Sequence, residues 1–333
     1  MNSSSNSYKK ESPYSSYGDQ NDTYKQALCH LNVSKLKFVV RKCDFCGNEK
    51  SHPVYSVHFL AKEFCFVRCS RCGLIYQNPL LDQESRNHIY GTLEYWDHKY
   101  VCSTNSIMLN YYSYLDDVNL RRCNAEIRKQ WMNRYLPDNA RILDLGCSDG
   151  LFVHTLSESG YRASGIDVNS AMIAYGRRKY NVDIQQADFE KEWPFTEEFD
   201  AITCFATLSN EVNPSRVFNN IRQHLRIGGC FFFNFGDCDR LLSRIFGSRL
   251  YLYRPTVATI YSKKTIINYC QKYGLRIQEI FNDVQVISLA RLLGFFRIPG
   301  LTRVIKYLGL EKTTLRMRFL TGYLVCTIHC NQR

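Results

Sequence analysis

From Ala140 onward the chain alternates short apolar runs with helix-length amphipathic stretches. The runs near 141–145, 162–166, 182–187, 199–205, 229–235, 276–282 and 322–330 read as seven strands, with helices between most of them. Strands that are apolar on both faces and separated by helices build a parallel sheet covered on both sides. An α/β domain is therefore expected over 140–333, with 236–258 as a long loop after the fifth strand. Toward the end, Leu301, Val304, Ile305 and Leu308 recur at i, i+3, i+4 and i+7 opposite Arg303 and Lys306, which predicts a basic amphipathic segment over 284–320. The first 140 residues read differently. Residues 1–35 are rich in Ser, Asn, Tyr and Lys without apolar periodicity and are expected to be a disordered tail. Residues 36–80 hold two cysteine-bearing turns, and 81–139 form a helical and aromatic linker expected to act as a lid.

Composition narrows the class. With 333 residues, 45% of them apolar and 22% charged, the chain can bury one large core and a small satellite. No uncharged apolar run approaches the ~18 residues needed to span a bilayer; the closest, Val284 to Phe296, is broken by Arg291. Residues 1–35 lack the apolar segment of a secretion signal, and fifteen cysteines in a chain of this length fit a reducing, cytoplasmic setting better than a disulfide scaffold. The 43 Lys and Arg against 31 Asp and Glu give +12, a balance that favours an anionic partner. Residues 284–333 carry eight basic side chains against Glu311, 8 − 1 = +7, so peripheral contact with an anionic membrane is one expectation for the basic element.

Cys43-Asp-Phe-Cys46-Gly47 and Cys69-Ser-Arg-Cys72-Gly73 are two CxxCG knuckles separated by 22 residues. Each CxxC turn brings two thiolates to one ion, and the following glycine permits the left-handed backbone the turn needs. Four cysteines close a tetrahedral sphere and leave no position for water, so Cys43, Cys46, Cys69 and Cys72 are expected to hold a structural Zn2+.

The first strand of the α/β domain runs into Asp144-Leu-Gly146-Cys147-Ser-Asp149-Gly150. Gly146 lets the backbone approach a ligand and Gly150 opens a helix whose free N–H groups face a carboxylate. Asp144 and Asp149 would repel a dinucleotide pyrophosphate and attract the sulfonium and ammonium of S-adenosylmethionine. Asp167, at the end of the second strand, is expected to accept the ribose hydroxyls, with Val168 beside it; Asp188 and Phe189, after the third, are expected at the adenine. Cys147 completes this expected cofactor-binding set.

These features together resemble the class I S-adenosylmethionine-dependent methyltransferases that carry an N-terminal CxxC…CxxC zinc ribbon. The resemblance covers roughly 40–283 and the final strand, and rests also on Gly73-Leu-Ile-Tyr-Gln-Asn78-Pro79, Tyr90, Tyr95-Trp96, Leu225-Arg-Ile-Gly228-Gly229 and Thr259-Ile-Tyr-Ser-Lys-Lys-Thr265. It implies a Rossmann-like seven-stranded sheet and a small-molecule acceptor such as a sugar, glycan or lipid-linked metabolite. The family commonly places a Glu-His pair before a proline after the fourth strand. Here Ser209 and Asn210 occupy those positions and Glu211 follows, so the usual histidine is absent. Glu211, Asn210 and His98 are the expected catalytic residues, and the 236–258 loop, with Asp237, Tyr251, Tyr253 and Arg254, is expected to contact the acceptor. Two other readings stand beside this one. A nucleic-acid methyltransferase would use the positive charge, but Asp44, Glu49 and Glu63 dilute the ribbon and argue against it. A non-catalytic module would keep the S-adenosylmethionine and zinc sites without turnover.

Overall fold

The computed structural model describes residues 36–59, 62–90, 118–250, 252–254, 256–289, 292, 304–305, 307–310 and 313–330. The expected tail, His98, Tyr95, Trp96 and Tyr251 lie outside them. In chain order the elements are β1 (Phe38–Val39), β2 (Ser51–Phe59), β3 (Lys62–Cys69), β4 (Ile75–Gln77), β5 (Leu80–Leu81), α1 (Gln83–Tyr90), α2 (Val118–Met132), β6 (Arg141–Leu145), α3 (Leu151–Ser157), β7 (Arg162–Asp167), α4 (Ser170–Tyr180), β8 (Asp183–Gln186), β9 (Phe199–Cys204), α5 (Pro214–His224), β10 (Leu225–Gly236), α6 (Leu241–Phe246), β11 (Thr259–Ile260), α7 (Lys263–Lys272), β12 (Leu275–Ser288) and β13 (Thr314–His329).

Seven strands pair in the order β12-β13-β10-β9-β6-β7-β8. The apolar runs make this possible because every central strand is buried on both faces: Ile142, Leu143 and Leu145, Ala201 and Ile202, and Phe231, Phe232 and Phe233 are all at 0% exposure. β6 to β10 run parallel, and β13 lies antiparallel between β10 and β12. The chain order reverses between β6 and β9, so their carboxyl ends diverge and leave a crevice there. The flanking helices start where local chemistry permits. Asn169 Oδ1 accepts from the N–H groups of Ala171 and Met172 at 3.0 Å each to open α4, Pro214 occupies the first turn of α5, and Ser262 with Thr265 forms a reciprocal capping box on α7.

A second sheet, β11-β4-β3-β2, carries the cysteine knuckles. Its edge strand β11 comes from the long segment after β10, so the ribbon is completed by residues nearly two hundred positions downstream. The two bodies share a core: Cys43, Cys69, Leu74 and Tyr76 pack in one cluster with Phe218, Tyr261 and Tyr269. Arg41 seals the seam, donating to the carbonyls of Gln77 at 3.2 Å, Val212 at 2.5 Å and Ala258 at 2.6 Å.

Two expectations need correction. The 236–258 segment is not one open loop but contains α6 and a 3-10 turn at Gly247–Arg249, and Tyr253 is 2% exposed against Phe66 and Tyr55 of the ribbon. Its ring is spent on packing and is unavailable to an acceptor. The basic element does not extend over 284–320, because 284–288 and 314–320 are the ends of β12 and β13. Leu315, Met317 and Phe319 alternate with Arg316 and Arg318, a period of two that suits a strand. Beyond Gly236↔Gly322, the last β10 pairing, this hairpin projects past the carboxyl edge of the sheet. α2 braces it: Asn124 accepts from Val286 N at 2.7 Å and donates to Val286 O at 3.0 Å, in the manner of a neighbouring strand. Trp131, Arg134 and Tyr135 all donate to Glu279 of β12.

Candidate active site

The loop after β6 folds tightly onto β7 because its glycines take left-handed backbone, φ +74° at Gly146 and +72° at Gly150. Gly146 N and Cys147 N both donate to Ile166 O, at 2.8 and 3.0 Å. A Cβ on Gly146 would stand 2.3 Å from Thr207 Oγ1, so the turn also lies hard against the chain leaving β9. Three carboxylates gather along this edge. Asp167 accepts Ser148 N at 2.9 Å on one oxygen and Asn169 N at 2.8 Å on the other. Asp144 accepts the Thr203 hydroxyl at 2.6 Å across the β6–β9 pairing. Asp149 forms a buried ion pair with Arg121 of α2. Burial raises the Asp167 carboxyl, against the backbone N–H groups that lower it. Burial also pushes Asp144 up to about 7, with the Thr203 hydroxyl and Arg128 opposing.

Two buried oxygens here, Ser148 Oγ and Asp149 Oδ2, have no hydrogen-bond partner among the described residues. Polar atoms this enclosed are ordinarily satisfied. A ligand bringing positive charge and hydroxyl donors to the loop would satisfy them, and S-adenosylmethionine brings both: an ammonium, a sulfonium and two ribose hydroxyls. The donor set fits that group.

The remaining residues of the expected set separate. Cys147 is 5% exposed with its thiol in the core beside Val153, so only its backbone faces the loop. Val168 is 39% exposed next to Asp167. Asp188 caps the following turn through Glu190 N at 3.1 Å and pairs with Lys191 at 2.9 Å. Phe189, expected beside the adenine, is 3% exposed in the main core; the apolar contact available to its ring there outweighs exposure at a binding edge.

On the acceptor side, Ala206 takes φ +60° and leads through Thr207 into a 3-10 turn at Leu208–Asn210. Asn210 donates its N–H to Thr207 O at 2.8 Å, and its carbonyl accepts from Arg86 of α1. Glu211, expected as a base, forms a carboxyl pair with Glu190 beside Arg86, and burial together with Glu190 raises it well above the ordinary carboxylate range. Glu190 is held in turn by Asn213, through its N–H at 2.9 Å and its amide at 3.0 Å. Burial and the neighbouring Glu190 thus favour the protonated form of Glu211, which suits it poorly to accept a further proton.

The four knuckle sulfurs lie within 4.8 Å of one another, with Cys43 to Cys72 and Cys46 to Cys69 each at 3.5 Å. Tetrahedral zinc with Zn–S of about 2.3 Å sets sulfurs roughly 3.8 Å apart. Gly47 and Gly73 follow at φ +68° and +79°, donating back to Cys43 O and Cys69 O. The cluster fits such an ion.

Sequence reasoning missed Arg121, Glu190, Asn234 and Asp283, which topology alone brings to this edge.

Residues 117–280 match the family model described as a methyltransferase domain. That match spans just under half of the chain and makes the segment similar to methyltransferase domains. Among curated relatives, a ubiquinone biosynthesis O-methyltransferase of Coxiella burnetii is 29% identical over 98 residues, covering 28% of this chain and 42% of that protein. The protein of the same name from Hydrogenovibrio crunogenus is 23% identical over 170 residues, 49% of this chain and 65% of that one. The chain thus spans less than two thirds of the length of these curated relatives. A solved methyltransferase of Methanosarcina mazei aligns at 15% identity over 61% of this chain and 98% of its own, with a TM-score of 0.45.

Proposed function

We propose that the protein is an S-adenosylmethionine-dependent methyltransferase acting on a hydroxyl group of a small-molecule acceptor, with sugars, glycans and lipid-linked metabolites as the acceptor classes to screen. The observation that carries the reading is the convergence of Asp144, Asp149 and Asp167 on one crevice with two buried, unsatisfied oxygens. Bound there, the donor supplies an electrophilic methyl for in-line displacement. The chain's part is to fix that methyl and to orient the acceptor, a contribution worth several orders of magnitude in rate. Relatives named for O-methyl transfer support the hydroxyl acceptor.

The test is calorimetric titration of zinc-replete protein with S-adenosylmethionine, with Asp167→Ala as control. Micromolar binding that the control loses supports the reading; folded protein that binds no donor defeats it.

In this reading the Cys43, Cys46, Cys69 and Cys72 cluster holds one structural Zn2+. Peripheral contact with anionic lipid belongs to the same proposal. Its support is the set of exposed apolar side chains Val304, Tyr307, Leu308, Leu310 and Leu315, beside exposed Arg316 and Arg318. Among the described residues no helix is long and apolar enough to cross a membrane. Co-sedimentation with anionic but not neutral vesicles checks the contact.

A further inference from the structure

The histidine common in the family is replaced by Asn210, and Glu211 lies against Glu190, so a proton acceptor is sought elsewhere among the described residues. Among the described residues, β12 offers a buried carboxylate that the donor site does not use. Asp283 of β12 is 3% exposed, and its Oδ1 has no partner among the described residues. Its Oδ2 takes two neutral amides, Asn234 Nδ2 at 2.9 Å and Gln285 Nε2 at 2.5 Å. These donors fix the plane of the carboxylate and leave its other oxygen enclosed and unpartnered. A buried carboxylate oxygen without a partner among the described residues is costly.

A second observation is independent of the first. The β12–β13 ladder breaks at this residue: Asn282 pairs with Tyr323, but Val284 pairs with Arg318, so the register jumps across Asp283. The extra residues lie on β13, where 319–322 face Asp283 alone, so Asp283 sits at an irregularity without a single cross-strand partner. The direction of aim follows from its contacts. Asn234, which holds Asp283, accepts Ala206 N at 2.6 Å, and Ala206 precedes the Thr207 that lies against Gly146 of the donor turn. Asp283 therefore stands at the acceptor end of an unbroken run of contacts that begins at the donor loop.

We propose that Asp283, oriented by Asn234 and Gln285, forms the subsite that receives the acceptor's hydroxyl and takes its proton. An ionised carboxylate only accepts hydrogen bonds, so its partner must be a donor. A hydroxyl can donate its hydrogen while keeping a lone pair for attack, whereas an ammonium would satisfy the charge but has no lone pair left. In the step, the acceptor oxygen forms a bond to the methyl carbon, and the sulfur–methyl bond breaks with its electron pair going to sulfur. The hydroxyl proton passes to Asp283 Oδ1, and the products are a methyl ether, neutral S-adenosylhomocysteine and a carboxylic acid that later loses its proton to water. The inference rests on the proposed methyl transfer for its chemistry, but not for its test.

The experiment uses the full-length, zinc-loaded protein labelled with 13C at the aspartate side-chain carboxyls. The Asp283 signal is assigned by its disappearance in Asp283→Asn, and the probes are phenol and its methyl-capped counterpart anisole, with and without S-adenosylhomocysteine. Phenol is expected to shift the Asp283 signal saturably and anisole to leave it in place. Asp283→Asn should weaken phenol binding by about tenfold or more, the loss of one charge-assisted hydrogen bond. Its affinity for S-adenosylhomocysteine should stay unchanged. Gln285→Ala, which keeps the carboxylate but frees it to rotate, should weaken phenol less, and it serves if Asp283→Asn does not fold. An equal response to phenol and anisole overturns the proposal, and so does a parallel loss of S-adenosylhomocysteine affinity in Asp283→Asn. Failure of S-adenosylhomocysteine to bind the parent protein would instead defeat the proposed function, with the phenol response still readable on the unliganded protein.

Discussion

The Asp44 carboxylate accepts a 2.8 Å hydrogen bond from the Tyr269 hydroxyl, which joins the middle of the first cysteine knuckle to α7. The same oxygen accepts Ser215 N at 2.8 Å, at the amino end of α5 where negative charge is favoured. Burial and Asp44 both raise the Tyr269 phenol well above its ordinary range, so it stays a donor. Asp44→Ala removes both bonds at once and should destabilise the protein by about 1.5–3 kcal/mol. Urea unfolding followed by tryptophan fluorescence checks this. Asp44→Asn should recover the Tyr269 bond and much of the loss.

Zinc removal should be felt beyond the ribbon. Cys43 and Cys69 share a core with Phe218 and Tyr269, and β11 stitches the two sheets together, so the bodies have little means of unfolding separately. Metal analysis should return one zinc per chain. Chelation, or Cys72→Ser, should lower the temperature of a single calorimetric transition by more than about 10 °C. Two separate transitions would contradict this coupling.

Donor affinity should depend on pH through Asp144. Burial holds this carboxyl at about 7 in the unliganded protein, so below that pH a cationic donor must expel a proton to bind. Affinity for S-adenosylmethionine should therefore fall by up to about tenfold per unit as pH drops below 7, and level off above it. Calorimetry at pH 5.5 in buffers of different ionisation enthalpy should detect the released proton, and Asp144→Asn should abolish the slope. The stability contribution of this group has the opposite sign. Its folded pKa is raised, so the unliganded protein loses stability from it as pH climbs from the unfolded carboxylate range toward 7.

Gly146→Ala places a methyl 2.3 Å from Thr207 Oγ1 on a backbone of φ +74°. Turn and acceptor chain would be forced apart, and donor binding should fall by about tenfold or more while the protein stays folded. Circular dichroism and donor titration on one sample separate the two effects.

What the sequence disclosed was what is contiguous. The DLGCSDG turn, the two knuckles and the seven apolar runs each announce themselves within a dozen residues, because a turn or a buried strand imposes its pattern locally. Relations across the sheet edge are invisible in this way. Glu190 and Glu211 are separated by a strand, and neither position alone says that the two carboxyls meet. Asp283 reads as a polar interruption in an apolar stretch until the fold brings Asn234 of β10 against it. The alternation Leu315-Arg-Met-Arg-Phe319 was readable as a strand, but the neighbouring helical spacing at 301–308 masked it. Phe189 failed for a related reason: a sequence places an aromatic ring after a strand but does not say which way it turns.

The pairing of β11 with β4 also sets an order of events during synthesis. About 180 residues lie between Gln77 and Thr259. At translation speeds of roughly 5–20 residues per second, both cysteine knuckles leave the ribosome some 10–40 seconds before the strand that closes their sheet exists. During that interval the nascent ribbon presents an open β edge along Ile75–Gln77, the kind of edge that recruits stray strands. Early capture of zinc would hold the knuckles in register until Thr259–Ile260 arrives, so metal supply would govern the yield of correctly assembled chains as well as the stability of the finished ones.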